Sequence, residues 1–175
     1  HARTRCVIGA DGANSAVARE LPGHERGRFA FAYHEIVKKP DAPPAGYDAS
    51  RCDVIYDGRY SPDFYGWVFP HGDTLSIGTG SADKGFSLRG AVGGLREASG
   101  LAGAETLRRE GAPLPMKPLK RWDNGRDVVI AGDAAGVVAP ASGEGIFYAM
   151  TGGRYAADAV SQALTARSPR EAAAA

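Results

Sequence analysis

The sequence predicts a mixed α/β fold in which two strand–helix segments of the nucleotide-binding kind flank an antiparallel, β-rich insertion. Three observations carry this expectation. A short apolar strand ending in Asp11-Gly12 lies near the start. A continuous apolar strand ending in Gly132-Asp133 leads into the longest helix, and the residues between alternate with the period of strands. Parallel-type strands on either side of a β-rich middle form the pattern of a nucleotide-binding domain interrupted by a second domain. The expected division is 1–26, 27–120 and 121–175.

The elements follow in order. Arg5 to Ala10 reads as a strand, and the helix after it has Asn14 or Ser15 as its N-cap, with Val17 and Leu21 turned to the core. Phe29 to Val37 and Cys52 to Tyr56 are strand-like, separated by a loop that Pro43, Pro44 and Gly46 enforce. Phe64 to Phe69 and Thr74 to Thr79 form a hairpin joined by Pro70-His71-Gly72-Asp73. Alternation along its first strand sets Tyr65, Trp67 and Phe69 on one face. Leu88 to Ala98 is a helix, and Leu107 to Arg121, rich in proline and basic residues, is extended. Asp127 to Ala131 is a strand of the kind covered on both faces. The last helix, about Gly145 to Leu164, carries a single apolar stripe through Ile146, Met150, Gly153, Ala157, Val160 and Leu164.

Composition narrows the function. The 21 basic and 20 acidic residues nearly cancel, which gives no field suited to nucleic acid. Cys6 and Cys52 have no metal-ligand spacing; Cys6 reads as a buried small hydrophobe, and a reducing cytoplasmic setting follows. The histidines suggest no metal site. No apolar run approaches the roughly 20 residues that span a bilayer, so any contact with a membrane is peripheral. The basic residues Arg108, Arg109, Lys117, Lys120, Arg121 and Arg126 read as a solvated face rather than a phosphate site. The chain opens at His1 without Met and enters a strand almost at once, which reads as an internal segment of a longer protein.

Two strand ends are near-duplicates. Val7-Ile8-Gly9-Ala10-Asp11-Gly12 and Val129-Ile130-Ala131-Gly132-Asp133-Ala134 each set an Asp just past a strand, among small residues. Ligands of open α/β sheets bind there, and a carboxylate can accept hydrogen bonds from sugar hydroxyls. A single Asp at a β–α turn is commonly just a cap. Two in this order favour binding.

Gly9 to Ser15 resembles the DG motif, and Gly132-Asp133-Ala134-Ala135 the GD motif, of the para-hydroxybenzoate hydroxylase-like flavoproteins. The resemblance implies that Asp133 holds the ribityl chain of FAD. It also implies that Asp11 and Gly12 lie near the pyrophosphate, where pyridine nucleotide is used. Three further segments resemble the geranylgeranyl reductase family. Tyr65-Gly66-Trp67-Val68-Phe69-Pro70 is similar to its YxWxFP element. Pro140 to Ile146, with Gly143, Glu144 and Gly145, is similar to the loop beneath the isoalloxazine ring. Glu110 to Gly125 is similar to the stretch before the GD motif in bacterial enzymes of bacteriochlorophyll synthesis.

The implied activity is reduction of geranylgeranyl double bonds, on (bacterio)chlorophyll or on geranylgeranyl diphosphate, with FAD as cofactor and NADPH as electron donor. The implied location is the cytoplasm, peripheral to the photosynthetic membrane. Tyr65, Trp67, Phe69 and Pro70 would line the prenyl site, and no proton donor stands out. The glycines at the start of the last helix would let its N-terminus approach the flavin, and Glu144 suits either a site role or dipole complementation. An aromatic monooxygenase of the same superfamily is the alternative enzyme, and a non-catalytic fragment the alternative of another class. There are two departures from the family. His71 stands where the family has Lys, and no GxGxxG follows a strand, so these 175 residues are expected to bind FAD poorly alone.

Overall fold

A computed structural model describes residues 3–25 and 27–166, and the fold is mixed α/β as expected. The chain divides into two compact units, one of residues up to Phe29 and from Leu114 onward, the other Ala30–Pro113.

The first unit is organised by β1 (Val7–Gly9) and β7 (Val128–Ile130), which pair in parallel, Val7 with Val128 and Gly9 with Ile130. Between them in sequence comes α1 (Ala16–Arg19), a single turn capped by Ser15, whose hydroxyl accepts from Ala18 N–H at 2.8 Å. Ala18, Leu21, Ile130, Ala134 and Ala135 form the small core, with Val17 packed at its edge. Among the described residues two strands pair here, and Val7 and Ile8 are substantially exposed; Cys6 is half-buried rather than buried as expected.

After β7 comes a 3-10 turn, Gly132–Ala135, and later α3 (Ile146–Thr165). The expected apolar stripe does not face the core. Ile146 and Met150 are exposed, and the inward face runs through Ala149, Gly152 and the buried Ala156. A Cβ at Gly132 would lie 3.2 Å from Ala149 Cβ, and one at Gly152 3.8 Å from Ala131 Cβ. The helix therefore approaches the 3-10 turn through its smallest side chains, which leaves no room for the larger ones.

The second unit is a five-stranded sheet in the order β3-β4-β5-β2-β6: β2 (Phe29–Lys38), β3 (Asp53–Ile55), β4 (Gly66–His71), β5 (Thr74–Ser81) and β6 (Thr106–Pro115). The hairpin turn is tighter than expected, only Gly72-Asp73, with His71 paired to Thr74 and Gly72 at φ 63°. Pro70 fits inside β4 because β3 pairs only as far as Val68, so its missing N–H breaks no ladder.

The helix α2 (Leu88–Ala98), capped by Ser87, packs on one sheet face, and Val92, Leu95 and Leu101 bury against Val37, Val68, Leu75 and Ile77. Full burial of each such side chain stabilises by about 1.5–3 kcal/mol. One charged cluster shares this face. Glu35 accepts from the Tyr33 hydroxyl at 2.8 Å, pairs with Arg96 of α2, and lies 3.3 Å from Arg109 Nε. Arg96 also donates to Thr106 Oγ1 at 2.7 Å and to the carbonyls of Leu101, Ala102 and Ala104, so it ties helix, sheet and loop together.

Burial pushes the Glu35 carboxyl up, but Tyr33, Arg96 and Arg109 outweigh it and hold the group below the usual carboxylate range. Its contribution to stability is therefore complete above the unfolded-state value and disappears as pH falls through the lower folded-state value. Replacing Arg96 with Ala removes the buried partner of Glu35, leaving it only Tyr33 and the more exposed Arg109, and should cost about 3 kcal/mol in urea unfolding. Glu35→Gln should flatten the acid limb of the unfolding profile; an unchanged limb would assign it to other carboxylates.

Candidate functional site

The parallel pairing of β1 and β7 sets the two strand ends beside each other, but their aspartates are used differently. Asp11 is taken up locally. The Ser15 hydroxyl donates to its Oδ1 at 2.5 Å, and the Ala16 and Val17 N–H groups donate to Oδ2 at 2.7 and 3.3 Å. Ser15 first, then these backbone donors, hold the carboxyl below its usual range against burial. Asp11 thus caps α1 and fixes the loop that carries Gly12, which adopts φ 81°.

Asp133 is in the opposite condition. Its carboxylate is half-buried with no hydrogen-bond or ion-pair partner among the described residues, and burial pushes its pKa up. It sits at the start of the 3-10 turn between buried Gly132 and Ala134. A Cβ on Gly145 would lie 3.3 Å from Asp133 Oδ1, so Gly145 lets the start of α3 come close to this carboxylate. Gly143, at φ 68°, does turn work instead. Glu144 caps the helix, accepting from Phe147 N–H at 2.8 Å, and so occupies one of the donors expected to point outward. Pro140 and Ile146 are exposed. Residues of both strand ends, among them Asn14, Ser15, Asp133 and Gly136, line one cleft in this unit.

In the second unit, Tyr65, Trp67 and Phe69 lie on the sheet face opposite α2. Gly66 and Val68 between them are buried toward the helix, while the aromatics are half-buried and lean on one another. The Tyr65 and Trp67 ring centres are 6.0 Å apart and those of Trp67 and Phe69 6.1 Å, with Tyr56 5.8 Å from Tyr65. They form a continuous apolar surface rather than a sheet–helix core. Of the six basic residues noted in sequence, Arg108 pairs with Glu110, Arg109 with Glu35 and Lys120 with Glu25.

Sequence reasoning missed what lies across from the aromatics. Trp67 pairs with Gly78, and a Cβ there would sit 2.3 Å from the indole and 2.5 Å from His34 Cβ. With Gly78 bare, the indole lies flat across β5 and its Nε1–H reaches Ser76 Oγ at 3.1 Å. The readable signal was the run of small residues Ser76, Gly78 and Gly80, at every second position of β5.

The chain is 59% identical over 170 residues to a geranylgeranyl diphosphate reductase of Rhodobacter capsulatus, a match covering 97% of this chain and 43% of the relative. The chain belongs to the geranylgeranyl reductase family. A chloroplastic geranylgeranyl diphosphate reductase of Oryza sativa is 39% identical over 88% of the chain and 33% of its own length. This chain therefore corresponds to less than half the length of these geranylgeranyl reductases. A geranylgeranyl bacteriochlorophyll reductase-like protein of Thermoplasma acidophilum, 25% identical, superposes with a TM-score of 0.80 over 93% of this chain and 42% of that one. No family model matches the chain.

Gly78→Ala would force the indole off the strand. The expected outcome is a loss of about 1–3 kcal/mol in unfolding free energy together with a changed near-ultraviolet tryptophan signal. An unaltered signal would mean that Trp67 does not depend on the bare glycine.

Proposed function

We propose that the complete protein carrying this chain is an FAD-dependent reductase that saturates the double bonds of a geranylgeranyl group, with NADPH as the source of electrons. The geranylgeranyl group is either the free diphosphate or esterified to (bacterio)chlorophyll, and the product is its phytyl counterpart. The observation that carries this reading is the Asp133 carboxylate, partly desolvated, without a partner among the described residues, at the end of a parallel strand. Such a group is costly unless something donates to it, and the hydroxyls of a ribityl chain are donors of the right kind. The names of the reductase relatives supply the substrate class.

The donor set fits the cofactor. Asp133 would hold the ribityl hydroxyls, with Gly132 and Ala134 small enough for close approach. Gly143, Gly145 and Ile146 would present the start of α3, and Pro140 and Glu144 would shape the loop before it. Asp11, through its cap on α1, would hold Gly12 beside the pyrophosphate. Bound flavin supplies the hydride that no protein side chain can. Tyr65, Trp67, Phe69 and Pro70 would carry the prenyl chain on their shared face, where aliphatic methyls gain contact area and water is kept off. No helix among the described residues is long and apolar enough to cross a membrane. Independently of that, the reductase reading has the protein working from the cytoplasm at the surface of the photosynthetic membrane.

Asp133→Ala in the complete protein should weaken FAD retention by about 10- to 150-fold, the loss expected for hydrogen bonds to a charged group. Retention would be measured by the flavin absorbance that survives desalting. Unchanged retention would remove Asp133 from the site. Incubated anaerobically with reduced cofactor, the parent should add two hydrogens per prenyl double bond by mass. A gain of one oxygen on an aromatic acid in air would instead identify a monooxygenase.

A further inference from the structure

The polar groups on the aromatic face form one connected chain. Trp67 Nε1–H donates to Ser76 Oγ at 3.1 Å, Ser76 Oγ lies 2.9 Å from His34 Nδ1, and His34 Nε2 lies 3.0 Å from Glu110 Oε2. Arg108 Nε binds the other oxygen of Glu110 at 2.9 Å. Counting donors fixes the direction. Trp67 occupies one lone pair of Ser76, and an ionised carboxylate can only accept, so neutral His34 carries its proton on Nε2 and receives the Ser76 hydroxyl at Nδ1. A second proton on His34 reverses one link. Nδ1–H then donates to Ser76, and the hydroxyl proton is freed toward the face on which Trp67 lies.

The other titratable groups of this face are poorly suited to giving up a proton there. Just before β4, burial, with Tyr56 beside it, raises the Tyr65 phenol above its ordinary range. His71 and Lys38 sit at the hairpin end of the face, where His71 closes the turn opposite Thr74. On β6 the face presents Glu110, paired with His34, and Arg108, paired with Glu110. On β5 the positions facing His34 and its neighbours are Ser76, Gly78 and Gly80, none of them titratable. The His34 ring centre is 6.3 Å from that of Trp67, so a chain lying on the indole also lies beside the imidazole.

Resting on the reductase reading above, we propose that His34 supplies the proton that completes double-bond reduction, through the Ser76 hydroxyl, with Glu110 as its positioning residue. Bound reduced flavin would supply the hydride to one carbon as the π bond opens. The other takes the Ser76 hydroxyl proton, which is replaced from Nδ1–H of the imidazolium. His34 is left neutral with Nε2–H on Glu110, and a solvent proton restores it. Trp67, through its bond to Ser76, holds both the relay and the surface on which the substrate lies.

The test uses the complete FAD-loaded protein and the variants His34→Gln, Ser76→Ala and Tyr65→Phe, together with a readout that needs no turnover. In a background with Trp122 and every tryptophan outside these 175 residues replaced by Phe, so that Trp67 is the one indole left, Trp67 emission should change with pH, and both His34→Gln and Ser76→Ala should abolish that change. Nitrogen NMR of the neutral imidazole should show the Nε2–H tautomer. His34→Gln should slow prenyl reduction by about 100-fold or more. It should also remove the fall in rate with rising pH, while FAD content and flavin reduction by NADPH persist. Tyr65→Phe should keep that pH dependence. A His34→Gln rate within about threefold of the parent overturns the proposal, since general acid catalysis is worth far more than that. So does loss of the pH dependence in Tyr65→Phe alone, or a Trp67 emission profile indifferent to His34. If the parent reduces prenyl bonds and His34→Gln does too, only the proton assignment falls; if the parent reduces none, the reductase reading falls with it.

Discussion

The parallel pairing of β1 with β7 is the constraint on which the candidate cofactor site depends. Three residues from each end of the chain register Val7 against Val128 and Gly9 against Ile130. That short ladder is enough to set two loops, far apart in sequence, at the same end of a sheet, where backbone donors and helix starts collect. The consequence is a division of labour between two similar motifs. One aspartate satisfies itself on its own helix, and the other is left without a partner among the described residues. A partly buried carboxylate with no partner among the described residues is a standing cost that tertiary packing has not relieved, and the proposed ligand contact is what would relieve it.

The second unit separates stability from chemistry by the alternation of a single strand. Along β2, Glu35 faces α2 and enters the Arg96 cluster, while the adjacent His34 faces the aromatics and enters the Ser76 chain. Core residues crowd the helix side, and aromatic and small residues share the other. Two charge networks one residue apart are thus kept from exchanging partners by the pleat of the sheet.

Much of this was legible in the residues. The hairpin, the span of α2 and the extended β6 follow from local residue pattern, and the fold class follows from the order of elements. The face of α3 was not legible, because ranking residues by size selects Ile146 and Met150, whereas the contact is made by Ala149, Gly152 and Ala156, which allow close approach. Nor was the burial of β1, since an apolar run reveals that a strand can be covered and not how many strands pair beside it. The chain of Trp67, Ser76, His34 and Glu110 joins three strands through tertiary register. Nothing local in any of those segments announces it, apart from the alternate small residues of β5.

The one-residue pitch between Glu35 and His34 also has a bearing on how such a sheet can diversify. Substitutions at Tyr65, Trp67 or Phe69 touch rings that lean on each other and leave the packed helix side alone, so the chemistry of that face can drift without unsettling the scaffold. A single-residue insertion or deletion within β2 has no such freedom, because it would deliver the imidazole to the oily interior and the carboxylate to the aromatics in one stroke. Point replacement, rather than length change, is the route by which lineages of this sheet can remodel its aromatic face.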